Sequence, residues 1–216
     1  MSKGAVIIAN NADQIEYLRL ARVSARLITK NLGLPVTLIT ETACDYTEFD
    51  KIIIVDKKFN NSRVTLMGNQ HQRMSWFNLN RTDVYDLTPY DRTLLIDADM
   101  FVFTDALKTH MAADFDFAIA KTIHEPNNAS LHNDTIGTTQ IPHLWATVVI
   151  FNKSQLAADI FKMSQHIIKH YKTYAKIYDF EARPIRNDYA FSIACHLLAG
   201  YGTGDLSLRN YNLTNV

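Results

Sequence analysis

Tyr90-Asp91-Arg92-Thr93-Leu94-Leu95-Ile96-Asp97-Ala98-Asp99-Met100-Phe101-Val102 is the stretch on which the fold turns. Its centre, Thr93 to Ile96, is a short apolar run between a turn signal, Thr88-Pro89-Tyr90-Asp91, and a pair of carboxylates. An apolar run of this length without polar alternation reads as a strand covered on both faces. Strands of that kind belong to parallel sheets flanked by helices. Asp97 and Asp99 then stand at the strand's carboxyl end, where open α/β sheets bind ligands. Two carboxylates at i and i+2 can converge on one hard divalent cation and leave positions open for phosphate oxygens. The alternative is that the pair only solvates a strand end. Asp114-Phe115-Asp116 shows that risk, because it precedes its apolar run and reads as a solvated turn.

Upstream, the sequence predicts strands at Ala5–Ala9, Val36–Ile39 and Ile52–Val55. Between the first two, Ile15, Leu18, Arg22, Ala25, Ile28 and Leu32 recur at helical steps, with Asn11 and Gln14 as a capping box. Gly33 ends that helix and Pro35 opens the next element. Strand–helix–strand order predicts a parallel sheet with right-handed crossovers. Residues 57 to 72 read as a polar loop. Met74, Phe77, Arg81 and Val84 predict a helix of about three turns ending near Leu87. Downstream, strands are expected at Phe117–Ala120 and Trp145–Phe151. Ser154 caps a helix that carries Leu156, Ile160, Met163, Ile167, Tyr171 and Tyr174, and Asp188 caps a last helix through Leu198. Residues 121 to 143 form a long irregular stretch, the kind of loop that carries function. The expectation is one α/β domain over 1–216, with a mostly parallel central sheet and flanking helices.

Composition excludes some classes. Lys+Arg and Asp+Glu both number 22, so there is no bulk charge to draw nucleic acid or a membrane surface. No apolar run approaches the ~20 residues of a membrane span. Met1-Ser2-Lys3-Gly4 runs straight into a strand and is not a signal peptide, which leaves the cytoplasm as the default compartment. Cys44 and Cys195 read as two buried free thiols. Gly200-Tyr201-Gly202-Thr203-Gly204 follows a helix instead of opening one, so it is not a dinucleotide fingerprint. His166 and His170 sit at i and i+4 off the apolar face of their helix and read as exposed. His124, His132 and His143 read as loop histidines.

Taken whole, the segment from Tyr90 to Val102 closely resembles the D-x-D segment of family 8 glycosyltransferases, the glycogenin-like group with the GT-A (Rossmann-like) fold. The likeness extends more loosely to a first strand ending Ala9-Asn10, a basic residue on the helix before the acidic pair, a strand ending Phe151-Asn152 and a helix start at Asn187-Asp188. The chain also looks like the small GT-A-like proteins that bacteriophages and large viruses encode, which would place it in a host cytoplasm. The resemblance implies a metal-dependent enzyme that moves a sugar from a nucleotide-diphosphosugar, with UDP favoured, to a carbohydrate or glycoconjugate acceptor with retention. It implies that Asp97 and Asp99 hold Mn²⁺ or Mg²⁺ and, with Ala98, the donor diphosphate. Ala9, Asn10 and Asn11 would lie beside the base and ribose, Arg81 would face the phosphate or sugar, and Asp188 would be the acidic residue near the transferred sugar.

The chain departs from the family in three places. Trp145-Ala146-Thr147 stands where the family has Asn-Ala-Gly. Tyr189 replaces a Gln after the acidic residue. A late His-x-x-Gly-x-x-Lys segment is absent before Val216, implying either truncation or a metal held by Asp97, Asp99 and the nucleotide alone. Asp188, Glu125, Asp134 and His132 are the candidate bases should the reaction invert. Two other readings compete: a phosphatase with an Asp-x-Asp nucleophile pair, which belongs after a first strand, and a non-catalytic nucleotide-sugar-binding module on the same scaffold.

Overall fold

The structure is a computed structural model that describes residues 1–12, 15–56, 61–67, 70–76, 79–121 and 135–200. Its central sheet comprises β1 (Lys3–Ile8), β2 (Val36–Thr40), β3 (Lys51–Ile54), β6 (Arg92–Asp97), β7 (Phe117–Ala120) and β8 (Trp145–Asn152). A separate hairpin is formed by β4 (Asn61–Met67) and β5 (Gln70–Trp76). The central order is β3-β2-β1-β6-β8-β7. The pairs from β3 to β6 are parallel, and β8 runs against both β6 and β7. The sheet is therefore mostly parallel, as the apolar strands predicted.

Strand order carries the main consequence. The chain grows outward from β1 through β2 to β3, then returns to the other side of β1 with β6. The crossovers on the two sides of β1 diverge, which leaves a crevice beyond the carboxyl ends of β1 and β6. Because β8 is antiparallel, its first residues lie beside the last residues of β6, with Ile96 paired to Val148. Three segments thus meet at one place. As the fourth strand of the central sheet in chain order, β6 also lacks the first-strand position that the phosphatase reading needs.

Alternate strand residues feed two cores. Ala5, Ile7, Leu94, Ile96, Val148 and Ile150 pack against α1 (Tyr17–Leu32) and α3 (Leu107–Ala112). Val6, Leu95, Val149 and Phe151 pack against α4 (Gln155–Lys169) and α6 (Asn187–Leu198). The period of two in the strands and the helical stripe of α1 produce this three-layer arrangement. Gly33 ends α1 in the left-handed conformation at φ 70°, its N–H returned to the Thr29 carbonyl.

Several expectations need correction. Residues 61 to 76 form the β4–β5 hairpin, not a loop, and Met74 is on β5, not on a helix. The segment that follows is a 3₁₀ turn (Leu79–Asp83) and the single turn of α2 (Val84–Leu87), so only its end at Leu87 was anticipated. The hairpin is polar on much of both faces and has no apolar alternation to mark it. The predicted helix through Tyr174 breaks at His170, and α5 (Tyr171–Ile177) follows. Ser154 caps α4 as expected, accepting from the Ala157 N–H. Arg186, not Asp188, occupies the N-cap of α6. At α1 the helix starts at Tyr17, yet Asn11 still serves its first turn from a distance, its Oδ1 accepting from the Leu18 N–H at 3.0 Å; Gln14 lies outside the described residues.

Cys195 is buried and free, its thiol pushed up to about 12 by burial, while free Cys44 is only half-buried. His166 and His170 are exposed, as their spacing implied, but His143 is buried and stacked on Trp145 at 4.3 Å, not a surface loop residue. His124, Glu125, His132 and Asp134 lie outside the described residues. Among the described residues no helix is long and apolar enough to cross a membrane.

Gly4 on β1 is a packing constraint: a Cβ there would stand 2.3 Å from the Tyr90 ring. That ring is fixed by its hydroxyl, 2.9 Å from Thr37 Oγ1 on β2. Gly4→Ala must displace a buried aromatic, a destabilisation of about 2 kcal/mol. In a chain of this size that lowers Tm by roughly 4–8 °C, measurable by differential scanning calorimetry.

Candidate active site

A cleft of about 410 Å³ opens where β1, β6, β8 and the start of α6 converge. Ile8, Ala9 and Asn10 follow from β1; Asp97, Ala98 and Asp99 end β6; Trp145, Ala146 and Thr147 begin β8; Arg186, Asn187 and Asp188 open α6. Arg81 from the 3₁₀ turn, Tyr17 from α1, Val64 from the hairpin and Pro184 complete the lining. The sequence singled out Ala9, Asn10, Arg81, Asp97, Ala98, Asp99 and Asp188, and all seven line this cleft. Asn11 does not, and its side chain is engaged at α1. Arg186 and Tyr17 were not singled out. Arg186 had a usable signal, since it immediately precedes the Asn187-Asp188 pair.

The acidic turn is held in place by α1. Met100 N–H closes the turn onto the Asp97 carbonyl at 3.1 Å. Ser24 Oγ donates to the Met100 carbonyl at 2.7 Å, and Asn31 Nδ2 to the Val102 carbonyl at 2.7 Å. Ala98 is buried, and Asp99 projects into solvent at the cleft with no side-chain partner among the described residues.

Asp97 is paired instead. Arg81 Nη1 donates to its Oδ1. Arg81 is 7% exposed, and its Nε and Nη2 are buried without a hydrogen-bond partner among the described residues. Burial pushes the Asp97 carboxyl up to about 6; Arg81 pulls against that, while Asp99 and Asp188 add to it. Asn10 presents a second unpaired donor. Its Oδ1 accepts from Thr40 Oγ1 at 3.1 Å and from Glu41 N–H at 2.7 Å, which fixes the amide orientation. Its buried Nδ2 is then left without a partner among the described residues. Buried donors in this state are uncommon in folded proteins and mark strain or a ligand's place.

Asp188 has both oxygens engaged. Oδ1 accepts from the Ala146 N–H at 2.8 Å, and Oδ2 from Arg186 Nη2 at 3.2 Å. It therefore straps the start of β8 to the start of α6. The Arg186 guanidinium lies 5.8 Å from the Trp145 ring and 5.3 Å from the Tyr189 ring. Three carboxylates against two guanidiniums leave the cleft one net negative charge with all five ionised.

No family model and no curated protein matches this chain. Solved structures do. An active-site mutant of LgtC superposes with a TM-score of 0.59 at 13% identity, covering 97% of this chain and 72% of that chain. The glycosyltransferase GlyE of Streptococcus pneumoniae TIGR4 gives 0.53 at 12% identity, covering 98% of this chain and 45% of that one. Mouse xyloside xylosyltransferase 1 gives 0.54 at 11% identity, covering 98% and 85%. This chain thus spans less than half the length of GlyE. The architecture is that of the GT-A nucleotide-sugar transferases, and at these identities the likeness is one of fold. The phage and viral resemblance gains no support from these structures.

The Asp97 environment has a measurable consequence. Its carboxyl holds a proton up to about pH 6 in the folded chain, against an unperturbed value of 3.8. The resulting stability is fully present below the lower value and is lost as pH rises through the higher one. Urea unfolding of the wild type and Asp97→Asn between pH 4 and 7 should therefore diverge, with the wild type losing stability relative to the variant as pH rises. Parallel curves would remove the burial argument.

Proposed function

We propose that this chain is a glycosyltransferase that takes a sugar from a nucleotide-diphosphosugar, with Asp97 and Asp99 holding a divalent cation and through it the donor diphosphate. The observation that carries the reading is the charge of the cleft. It lies at the β1/β6 switch point, where a nucleotide is expected, yet it is net negative. A diphosphate enters such a cleft only with a cation. Asp99 is an exposed carboxylate with no side-chain partner among the described residues, and Asp97 has one oxygen beyond the Arg81 bond. An oxygen donor set of this kind suits Mn²⁺ or Mg²⁺. No group of three or more His, Cys, Asp or Glu side chains gathers at one point among the described residues. Two carboxylates, with diphosphate oxygens as the remaining ligands, are therefore the arrangement we assign. When bound, the cation supplies Lewis-acid stabilisation of charge on the leaving diphosphate.

The chain's own residues divide the remaining work. Arg81 offers two buried N–H groups to donor oxygens while keeping its bond to Asp97. Asn10 offers its Nδ2 to the nucleoside, and Ala9 leaves room beside it. We assign UDP as the nucleotide from the family 8 resemblance. Trp145 and Thr147 line the part of the cleft nearest Asp188, which narrows the sugar site. We assign retention from the family 8 resemblance. Asp188 has both oxygens bonded within the protein, so its role is to hold β8 and α6 in register around the sugar.

Thermal denaturation with UDP and manganese tests this reading. UDP at ~100 times its dissociation constant should stabilise the chain by about 2.7 kcal/mol, a Tm rise of roughly 5–10 °C. The rise should need manganese and should vanish in Asp99→Asn. Protons compete for Asp97, so manganese affinity by calorimetry should be about tenfold weaker at pH 5 than at pH 7.5. A manganese-dependent shift without release of UDP from UDP-sugars would instead assign a non-catalytic binding module.

A further inference from the structure

Resting on the glycosyltransferase reading, we propose that the outer face of the β4–β5 hairpin binds the acceptor, and that this acceptor is an anionic saccharide. The hairpin stands beside the central sheet and touches the cleft through Val64, which is 59% exposed. Its root is clamped to the cleft wall. Asn61 is buried, its Nδ2 donating to the Ile185 carbonyl at 2.7 Å, one residue before Arg186. The position of the hairpin is thereby tied to the start of α6.

Register decides which residues look outward. Val64 pairs with Arg73 directly across the ladder, and Leu66 with His71. Residues opposite one another, and those two apart along a strand, share a face. Val64, Arg73 and His71 therefore lie on one face, and all three are exposed. The opposite face carries Asn61 and Met74, which are buried. Arg73 thus stands directly across the ladder from Val64, the hairpin residue that lines the cleft.

The charge of this arm is one-sided. Asn61–Met67 and Gln70–Trp76 contain Arg63 and Arg73 but no acidic residue, and by register Arg73 is the one on the outer face with Val64. The chain as a whole is balanced, so the imbalance is local. Arg73 has no ion pair among the described residues. Within the cleft the situation is reversed: Arg81 and Arg186 are committed to Asp97 and Asp188. With Arg81 assigned to the donor and Arg186 held by Asp188, a second anionic substrate is matched among the described residues by Arg73 of the hairpin. Polar side chains and one apolar contact beside an arginine suit a saccharide carrying carboxylates or phosphates.

Calorimetric titration of the full chain with hexagalacturonate, phosphorylated maltohexaose, neutral maltohexaose and a hexameric oligothymidylate tests this. One or both anionic saccharides should bind at least about tenfold more tightly than neutral maltohexaose at about 50 mM NaCl, and the preference should shrink at about 300 mM. Whichever binds identifies the anion. Arg73→Glu should abolish the preference, Arg73→Lys should keep most of it, and Lys169→Glu, an equal charge change on α4, should leave it intact. Failure of both anionic saccharides to bind, equal binding of the neutral one, persistence in Arg73→Glu, or an oligothymidylate that binds as tightly would each overturn the assignment. A UDP–manganese titration of the wild type is read beside these. UDP binding without saccharide binding removes this inference alone, and saccharide binding without UDP binding removes the donor reading instead.

Discussion

The Arg81–Asp97 ion pair is the interaction around which the site is organised. A strand apolar on both faces cannot end in a carboxylate next to two further aspartates without a counter-charge. Arg81 supplies it from a 3₁₀ turn that packs against α4 and α6, so the layer covering one face of the sheet also sets the charge at its edge. The pair is unsymmetrical. The guanidinium is almost wholly buried and uses one nitrogen on Asp97, while the carboxylate is one-third exposed. Removing a partner from such a pair leaves an uncompensated buried charge, which costs several kcal/mol and not merely the bond. The chain keeps that arrangement although an apolar pair would fold as readily, which is what a site with a use for both charges requires.

The same constraint explains which features were legible in the sequence. Strands buried on both faces announce themselves, because few polar side chains are tolerated within them; β1, β2, β6, β7 and most of β8 were all visible as apolar runs. The stripe of α1 and the glycine that ends it were visible for the same reason. The hairpin was not. Its sequence has no apolar alternation, so hydrophobic patterning had nothing to mark, and Met74 fell by chance at helical spacing from Arg81 and Val84. The break at His170 was hidden because Tyr171 and Tyr174 of α5 continue the helical spacing of Ile160, Met163 and Ile167 on α4.

Site residues followed a similar rule. Asp97 and Asp99 could be named because the strand end fixes where they stand, and Arg81 because the family resemblance pointed to it. Asp188 was placed correctly in the cleft, but for the wrong local reason. Spacing suggested an N-cap, whereas its carboxylate bridges to the Ala146 N–H across the cleft. A cap is a contact between neighbours in sequence and can be guessed from sequence. A strap joining residues 42 positions apart depends on the antiparallel turn of β8, which no local pattern encodes. His143 illustrates the same limit: it is the last residue of the long irregular stretch, and it is buried where Trp145 and Tyr189 pack on it.

Those tertiary contacts also bear on what distinguishes this cleft. Trp145 does not stand alone in place of a small polar residue; it is stacked on His143, and Tyr189 meets His143 edge-on at 5.2 Å and Phe180 at 4.8 Å. Arg186 lies against Trp145 and Tyr189 while bonded to Asp188. One aromatic cluster therefore sets the position of the cation that orients the carboxylate, and the carboxylate in turn holds the first residues of β8. A change at Tyr189 or Trp145 is transmitted to Asp188 through Arg186. The Trp145–Arg186–Asp188 side of the cleft is built on packing and the Arg81–Asp97–Asp99 side on charge; under the proposed function, substitutions on the two sides should separate into effects on sugar selection and effects on metal dependence.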